Sequence, residues 1–184
     1  MIKNQENSVE IFYKDVLRTW HQDGNITREI EHLYCGLLDE IGELASAYKK
    51  HVGYGKELDL VNVKEELGDI FYFLILFTKY QEKGENYRNK MSTILITDKF
   101  CDKTPLKATT FFLLTEPFSQ LNRDPGNILL LFILVCEIMY FYGLTFEEVT
   151  LANMEKREVR FPRGYTQDKA TNRDLDSERK TLEK

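Results

Sequence analysis

The stretch CGLLDEIGEL, Cys35–Leu44, decides the fold prediction because it combines a helical apolar pattern with two carboxylates. Glu40 and Glu43 lie three positions apart within it. After 22 intervening residues, 44–65, the segment KEELGDIF repeats this spacing with Glu66 and Asp69. Residues three or four positions apart share one face of a helix, so each segment is expected to present two acids on a single face.

Apolar residues recur every three or four positions around both acidic pairs, which is the pattern of an amphipathic helix. One predicted helix runs from near Thr27 to about His51, and the next continues until Gly84. Their apolar stripes are Ile30, Leu33, Leu37, Ile41, Leu44 and Tyr48, then Val63, Leu67, Ile70, Leu74 and Phe77. Long amphipathic helices separated by short breaks predict an all-α bundle, here of four to six helices.

The apolar run 128–142 predicts a buried or interfacial helix. It is too short for a membrane span, which requires about 20 apolar residues, so no membrane association is expected. We expect Asp124 to be the N-cap, Pro125 to be the first helical residue and Gly143 to end the helix.

A capping box at Thr145 and Glu148 predicts one further helix, running to about Arg160. Near the N-terminus, Val9–Trp20 has the pattern of a first helix. The last segment, 163–184, is polar all round and predicts a solvated helix or a loose tail.

Residues 85–123 follow no clear pattern. The motif STILIT, 92–97, could form a short strand, whereas 106–121 has helical spacing that is interrupted by Pro117. We therefore interpret 85–123 as an inserted segment.

Composition limits the possible classes of protein. With 184 residues, of which 42% are hydrophobic, the chain is expected to form a single domain, 1–184. The net charge of -5 argues against a nucleic-acid binder. Three cysteines without a CxxC spacing and an N-terminus without an apolar signal region favour a reducing, cytoplasmic location.

The two acidic pairs lie at the edges of the apolar stripes, so antiparallel packing of their helices would bring four carboxylates together. At about 4 Å, two like charges repel by about 4 kcal/mol at an effective dielectric constant near 20. Protonation could relieve this repulsion, but a hard cation such as Mg²⁺, or Mn²⁺ as a substitute, suits an all-oxygen site. The competing interpretation is that each pair belongs to a solvated helix face.

The two acidic motifs, DEIGEL and KEELGDIFYFL, resemble the metal-binding helices of the MazG-like all-α nucleoside triphosphate pyrophosphohydrolases. That superfamily includes dimeric dUTPases and phosphoribosyl-ATP pyrophosphohydrolase. The segment LANMEKREVRFPRGYTQDKATNRDLDSE is similar to a C-terminal segment found in bacterial and phage members. The resemblance covers about Thr19–Tyr80 and Leu144–Glu178.

The resemblance implies an enzyme that hydrolyses a nucleoside triphosphate to the monophosphate and pyrophosphate. It implies that Glu40, Glu43, Glu66 and Asp69 hold Mg²⁺. Glu65 lies four positions before Asp69 and is a further candidate, as a ligand or as the base that orients water.

Asn153, Lys156 and Arg160 share one helix face and could bind phosphate oxygens. Taken singly, such residues more often lie on a solvated surface. Trp20 is the first candidate for stacking on the base, although aromatic residues at helical spacing are more often core.

The helix predicted at 128–142 has too many apolar positions for one buried face, which favours a homodimer or homotetramer. Two functions remain open. The chain is either a nucleotide pyrophosphatase with a nucleotide-pool or house-cleaning role, or a non-catalytic helical protein for oligomerisation or regulatory nucleotide binding. The residues do not indicate which base or sugar is preferred.

Overall fold

The computed structural model describes residues 7–97, 108–172 and 174–183, which fold as an all-α bundle. Its helices are α1 (Ser8–Thr19), α2 (Ile26–Tyr54), α3 (Leu60–Phe77), α4 (Gly84–Thr97), α5 (Ala108–Gln120), α6 (Asn127–Phe141), α7 (Phe146–Arg160), α8 (Gln167–Thr171) and α9 (Leu175–Leu182). In this described part of the chain, β structure is limited to one isolated bridge, between Pro162 and Gly164. The predicted all-α class is confirmed, with more helices than the four to six expected.

The helices that position the acidic pairs begin and end at residues with well-defined capping roles. Asn25 caps α2 and Asp59 caps α3, each through a side-chain oxygen that accepts a backbone N–H from the first turn. Gly55 ends α2 with a φ of 62°, a left-handed conformation that glycine adopts without steric cost. The predicted capping box of Thr145 and Glu148 opens α7.

Helix α3 is the central element, since it packs against α1, α2, α6 and α7. Its C-terminal half, from Ile70 to Phe77, is buried all round. There the ring of Phe71 lies 5.5 Å from that of Phe132 and 5.1 Å from that of Phe146. Because this helix lies inside the bundle, the charged residues in its N-terminal half must find partners on neighbouring helices.

Helices α2 and α3 run antiparallel, joined by the short connection 55–59. Tyr34 in the first half of α2 packs edge to face on Phe77 at the end of α3, at 6.1 Å between ring centroids. Nearer the acids, a Cβ added at Gly36 would lie 2.2 Å from Phe73 Cζ. The ring of Phe73 thus fills the space that a side chain at position 36 would need, and the same register brings the acidic pairs face to face.

The possible strand at 92–97 is wrong, because these residues form the last turns of α4. Two hydroxyl side chains of this segment form hydrogen bonds with the preceding helical turn. Ser92 Oγ donates to Arg88 O, and Thr93 Oγ1 donates to Asn89 O. The predicted end of α3 at Gly84 is also wrong. Helix α3 ends at Phe77 and is followed by a 3-10 turn.

Gly84 instead begins α4, at a position where a Cβ would lie 2.0 Å from Thr78 O. Helix α5 continues through Pro117, which is buried within it. Part of the segment interpreted as an insertion, 98–107, lies outside the described residues.

The start of α6 differs from the prediction. Asp124 Oδ1 accepts the N–H of Gly126 at 2.8 Å, which makes a local turn, and α6 begins only at Asn127 without a side-chain cap. Asp124 is therefore not the N-cap, and Pro125 lies in the turn. Gly143 follows the helix with a φ of 73°, as expected for a terminating glycine.

The segment predicted as a solvated helix or loose tail contains α8 and α9, and α9 packs on α7 and α3. Leu182 is 1% exposed, and its carbonyl accepts Lys64 Nζ at 2.5 Å. Arg179 Nη2 donates to both carboxylate oxygens of Asp59, the N-cap of α3. Helix α8 is largely exposed, whereas α9 buries Glu178, Thr181 and Leu182 against its neighbours.

None of the described helices is by itself long and apolar enough to cross a membrane. Asn127–Phe141 and Phe146–Arg160 meet that criterion only together, as a pair bent by 97°. Cys35 is exposed and Cys136 is buried, and no disulfide joins them; Cys101 lies outside the described residues.

Candidate metal and nucleotide site

The structure brings three of the four predicted carboxylates to one point between α2 and α3. Oxygen atoms of Glu40, Glu43 and Glu66 all lie within 4.8 Å of one another. The antiparallel packing explains this convergence, because the second half of α2, which carries Glu40 and Glu43, lies beside the first half of α3, which carries Glu66. Three oxygen donors this close together form a set that can hold a hard divalent cation.

Burial and, after it, repulsion between neighbouring carboxylates favour the protonated forms of two acids in this cluster. Burial and the charges of Asp69 and Glu66 raise the pKa of Glu40 to about 9. Burial and the charges of Glu43 and Asp69 raise the pKa of Glu66 to about 8. Both carboxyls therefore retain protons near neutral pH, and a bound cation would stabilise the ionised forms in their place.

Asp69, the fourth predicted ligand, is held by side chains of α7. Asn153 Nδ2 donates to Asp69 Oδ1 at 2.6 Å, and Lys156 Nζ forms an ion pair with Asp69 Oδ2. Asp69 is close enough to Glu40 and Glu66 to raise the pKa of each. The charge of Asp69 therefore acts on the cluster, while Asn153 and Lys156 of α7 hold its two carboxylate oxygens.

Glu65 lies beside this contact, since its Oε1 is 3.3 Å from Lys156 Nζ. Burial alone would lower the pKa of Lys156, but the carboxylates of Asp69 and Glu65 outweigh burial and raise it. The lysine is thus a permanent positive charge adjoining the acidic cluster. Whether Glu65 orients water stays a prediction.

The three residues predicted to bind phosphate do not share one environment. Asn153 and Lys156 are 1% and 3% exposed and both contact Asp69. Arg160 points elsewhere: its Nη2 donates to Ala170 O at 3.0 Å, and its guanidinium lies over the ring of Phe161. The common helix face is present, but its members contact different parts of the protein, and their phosphate-binding role stays a prediction.

Helix α7 can approach Asp69 because a glycine separates the acids of α3. A Cβ added at Gly68 would lie 2.9 Å from Asn153 Cβ. The corresponding glycine of α2, Gly42, faces open space, since a Cβ added there would meet no atom within 4 Å. The two acidic motifs therefore share a sequence pattern but have different surroundings.

An open cleft of about 740 Å³ lies along the face of α2 between His32 and Ser46, with Phe73 at its base. Glu40 and Glu43 form part of its wall. Ligand sites typically occupy about 300–1,000 Å³, so the cleft is large enough for a nucleotide.

Trp20, the predicted stacking residue, is only 5% exposed. Its Nε1 donates to Tyr80 Oη at 2.7 Å, and Tyr80 in turn donates to Glu29 Oε2 at 2.6 Å. The ring of His32 lies 4.8 Å from the indole, tilted by 32°. Because His32 is exposed and lines the cleft, it lies between Trp20 and any ligand there.

His32 is a cleft-lining residue that the sequence analysis did not single out. The available signal was its spacing, because His32, Gly36 and Glu40 recur every four positions on one face of α2. Burial, followed by the charge of His21, lowers the pKa of His32, so that the ring is neutral at neutral pH. A neutral imidazole can stack on a base and offers both a donor and an acceptor.

An all-α bundle that gathers glutamates from two antiparallel helices has the arrangement from which helical proteins build carboxylate metal sites. A family model described as dUTPase matches residues 12–167. The chain belongs to this dUTPase family, whose members are nucleoside triphosphate pyrophosphatases. No curated protein and no solved structure matches the chain.

Proposed function

We propose that the protein is a Mg²⁺-dependent pyrophosphohydrolase that converts a nucleoside or deoxynucleoside triphosphate, with dUTP the first candidate, to the monophosphate and pyrophosphate. The observation that carries this proposal is the convergence of Glu40, Glu43 and Glu66, the first two of which line an open cleft. Membership of the dUTPase family supports the same class of reaction.

The proposed ligands of the cation are Glu40, Glu43, Glu66 and Asp69, because all four are oxygen donors and, after burial, the charges of the other three raise the pKa of Glu40. Oxygen donors suit Mg²⁺ and also Mn²⁺. When bound, the ion neutralises charge on the phosphate oxygens during attack by water.

Glu65 is the proposed group that orients the attacking water, because it adjoins the cluster without belonging to the three converging acids. Lys156 holds its carboxylate in place from α7. Burial and neighbouring carboxylates raise the pKa of Glu40 and of Glu66, and the charge of the same lysine partly offsets this rise, so its positive field extends to the cluster. That field also offsets the repulsion that a triphosphate would meet beside so many acids.

We propose that Asn153 and Lys156 serve the phosphate site by fixing Asp69. A phosphate contact by Arg160 requires its guanidinium to leave the carbonyl of Ala170. For the base, we propose that His32 stacks on it and that Trp20 supports the His32 ring from behind.

The proposal is tested by measuring pyrophosphate release from a panel of triphosphates that includes dUTP, with and without Mg²⁺. We expect release that requires the cation and is lost in Glu43→Gln and Glu66→Gln. Glu31→Gln is the matched control, since Glu31 is an exposed acid on α2 outside the cluster, and it should keep full activity.

Activity that survives both glutamate substitutions would contradict the ligand assignment. Nucleotide binding without pyrophosphate release from any triphosphate would instead support the non-catalytic, regulatory alternative.

We also propose that the protein forms a homodimer or homotetramer. Leu130 and Phe141 of the apolar helix α6 remain 46% and 48% exposed, which leaves apolar surface for a second copy. Light scattering coupled to size-exclusion chromatography tests this directly, and a mass of 21.7 kDa would contradict it.

A further inference from the structure

The side chain of Asn153 connects two groups of opposite charge. Its Nδ2 donates to Asp69 Oδ1 at 2.6 Å, and its Oδ1 accepts from Arg157 Nε at 2.8 Å. A guanidinium can only donate hydrogen bonds, and an ionised carboxylate can only accept them. Only one of the two amide orientations therefore satisfies both neighbours.

Arg157 is itself held firmly. It is 6% exposed, its Nη1 donates to Thr19 Oγ1 at 2.7 Å, and its Nη2 lies 2.8 Å from Asp15 Oδ2. Its guanidinium also lies 4.7 Å from the centroid of the Tyr72 ring. Contacts from α1 and α3 therefore fix the group that faces the Asn153 amide.

We propose that Arg157 is a positioning residue of the carboxylate site, which holds the Asn153 amide in the one orientation that donates to Asp69. This inference rests on the proposed metal site for its effect on cation binding. Arg157 itself contacts none of Glu40, Glu43 and Glu66 through a hydrogen bond or ion pair within the described residues.

Arg157 acts by excluding the flipped orientation of the Asn153 amide. Without it, the amide can turn its oxygen toward Asp69, which places two acceptors against each other and frees the carboxylate to move. Metal affinity commonly falls by 10–100-fold when a residue that orients a ligand is lost. Arg157 acts on the proposed ligand Asp69 only through Asn153, so we expect the affinity for the cation to fall by a smaller factor, about 3–10-fold.

The chain offers a closely matched control. Arg88 is also buried, at 8% exposure, and its Nε donates to Glu10 Oε2 and its Nη1 to Thr78 Oγ1. Its guanidinium lies over the ring of Tyr13. Arg88→Met therefore removes a comparable set of contacts at a place away from Asn153.

Mn²⁺ binding to the full chain is measured by titration calorimetry for the wild type, Arg157→Met, Arg157→Lys and Arg88→Met. We expect the Kd to rise about 3–10-fold in both Arg157 variants and to stay within about 2-fold of wild type in Arg88→Met. Arg157→Lys keeps a cation beside Asp15 and so guards against a general loss of folding, which circular dichroism checks.

A double-variant comparison tests whether Arg157 acts through Asn153. Asn153→Ala should weaken Mn²⁺ binding, and adding Arg157→Met to it should weaken binding no further. Additive losses, or a folded Arg157→Lys that binds Mn²⁺ as tightly as wild type, would overturn the proposal.

A measurement without metal separates this inference from the proposed function. In the NMR spectrum of the metal-free protein, the Asn153 side-chain amide protons should exchange slowly with solvent in the wild type and in Arg88→Met, and faster in Arg157→Lys. Equal protection in all three would overturn the positioning role. A wild-type protein that binds no Mn²⁺ but shows this loss of protection would refute the metal site and leave the role of Arg157 intact.

Discussion

The two acidic motifs make the most informative comparison in this molecule. On α2, Glu43 is exposed and Glu40 is partly exposed at the wall of the cleft, and neither forms an ion pair within the described residues. On α3, Glu66 is 4% exposed, and Asp69 is held by two side chains of α7.

The difference lies in what packs behind each motif. On α3, Glu66 is buried, and Asn153 and Lys156 of α7 hold Asp69, so the folded core sets the positions of these acids. The α2 acids line the cleft, where the proposed nucleotide would replace the missing neighbour. One half of the site is thus preorganised, and the other half can adjust to what binds.

The largest effect that separates the two halves should be the pH dependence of stability in metal-free protein. The pKa values of Glu40 and Glu66 are raised from 4.5 to about 9 and about 8 in the folded state. A raised carboxyl pKa stabilises the fold fully below the unfolded value of 4.5, and this contribution disappears as pH rises through the folded pKa. Stability measured by urea unfolding should therefore fall between about pH 5 and pH 9.

Two changes should flatten this pH profile. Glu66→Gln removes one of the coupled charges, and added Mg²⁺ stabilises the ionised cluster. A stability that rises from pH 5 to pH 9 without metal would contradict the assignment of these shifts to a carboxylate cluster.

Asp69→Ala should destabilise the protein by about 3–5 kcal/mol, because it leaves the buried Lys156 with only Glu65 as its anionic partner. Glu43→Ala is the counterpart on α2 and should cost little or even stabilise metal-free protein, since it relieves repulsion. Chemical denaturation of both variants in chelator gives the two values. Equal destabilisation would show that the halves do not differ in preorganisation.

Gly68 and Gly42 lie between the two acids of each motif, and the space around them differs in the same way. Gly68→Ala places a Cβ 2.9 Å from Asn153 Cβ and should cost about 1–3 kcal/mol through overpacking. Gly42→Ala meets no atom within 4 Å and should stabilise α2 by about 0.5–1 kcal/mol. Thermal unfolding of the two variants should therefore shift in opposite directions, and a shared direction would contradict the packing described.

The smallest effect is expected at Glu65. Its carboxylate is 21% exposed, and Lys156 keeps its contact with Asp69 when Glu65 is changed. Glu65→Gln should therefore cost less than about 1 kcal/mol. A normal unfolding curve with strongly reduced pyrophosphate release would support Glu65 as the group that orients water, and unchanged release would remove it from that role.

The sequence was sufficient to predict that α2 and α3 exist and that their acidic residues face one another. The apolar period of three and four residues located α2 and most of α3, and the short break predicted between them favoured antiparallel packing. The connection in the structure spans 55–59. Local signals of this kind depend on neighbours a few positions away, which a single sequence displays directly.

Contacts between distant positions could not be read in the same way. The spacing of Asn153 and Lys156 shows that they share a face of α7, but it does not show that this face meets Asp69, more than 80 positions earlier. The β-branched residues of 92–97 likewise favour a strand when taken alone. In the structure this segment belongs to α4, which packs on α1 and α6.

The single tryptophan has a practical consequence. Trp20 is bonded to Tyr80 and stacked beneath His32, whose outer edge lines the cleft. Its fluorescence should therefore respond when a nucleotide displaces water from His32, whereas a cation alone would act only from a distance. The unmodified protein thus carries an intrinsic optical probe that can separate occupancy by a base from occupancy by a metal.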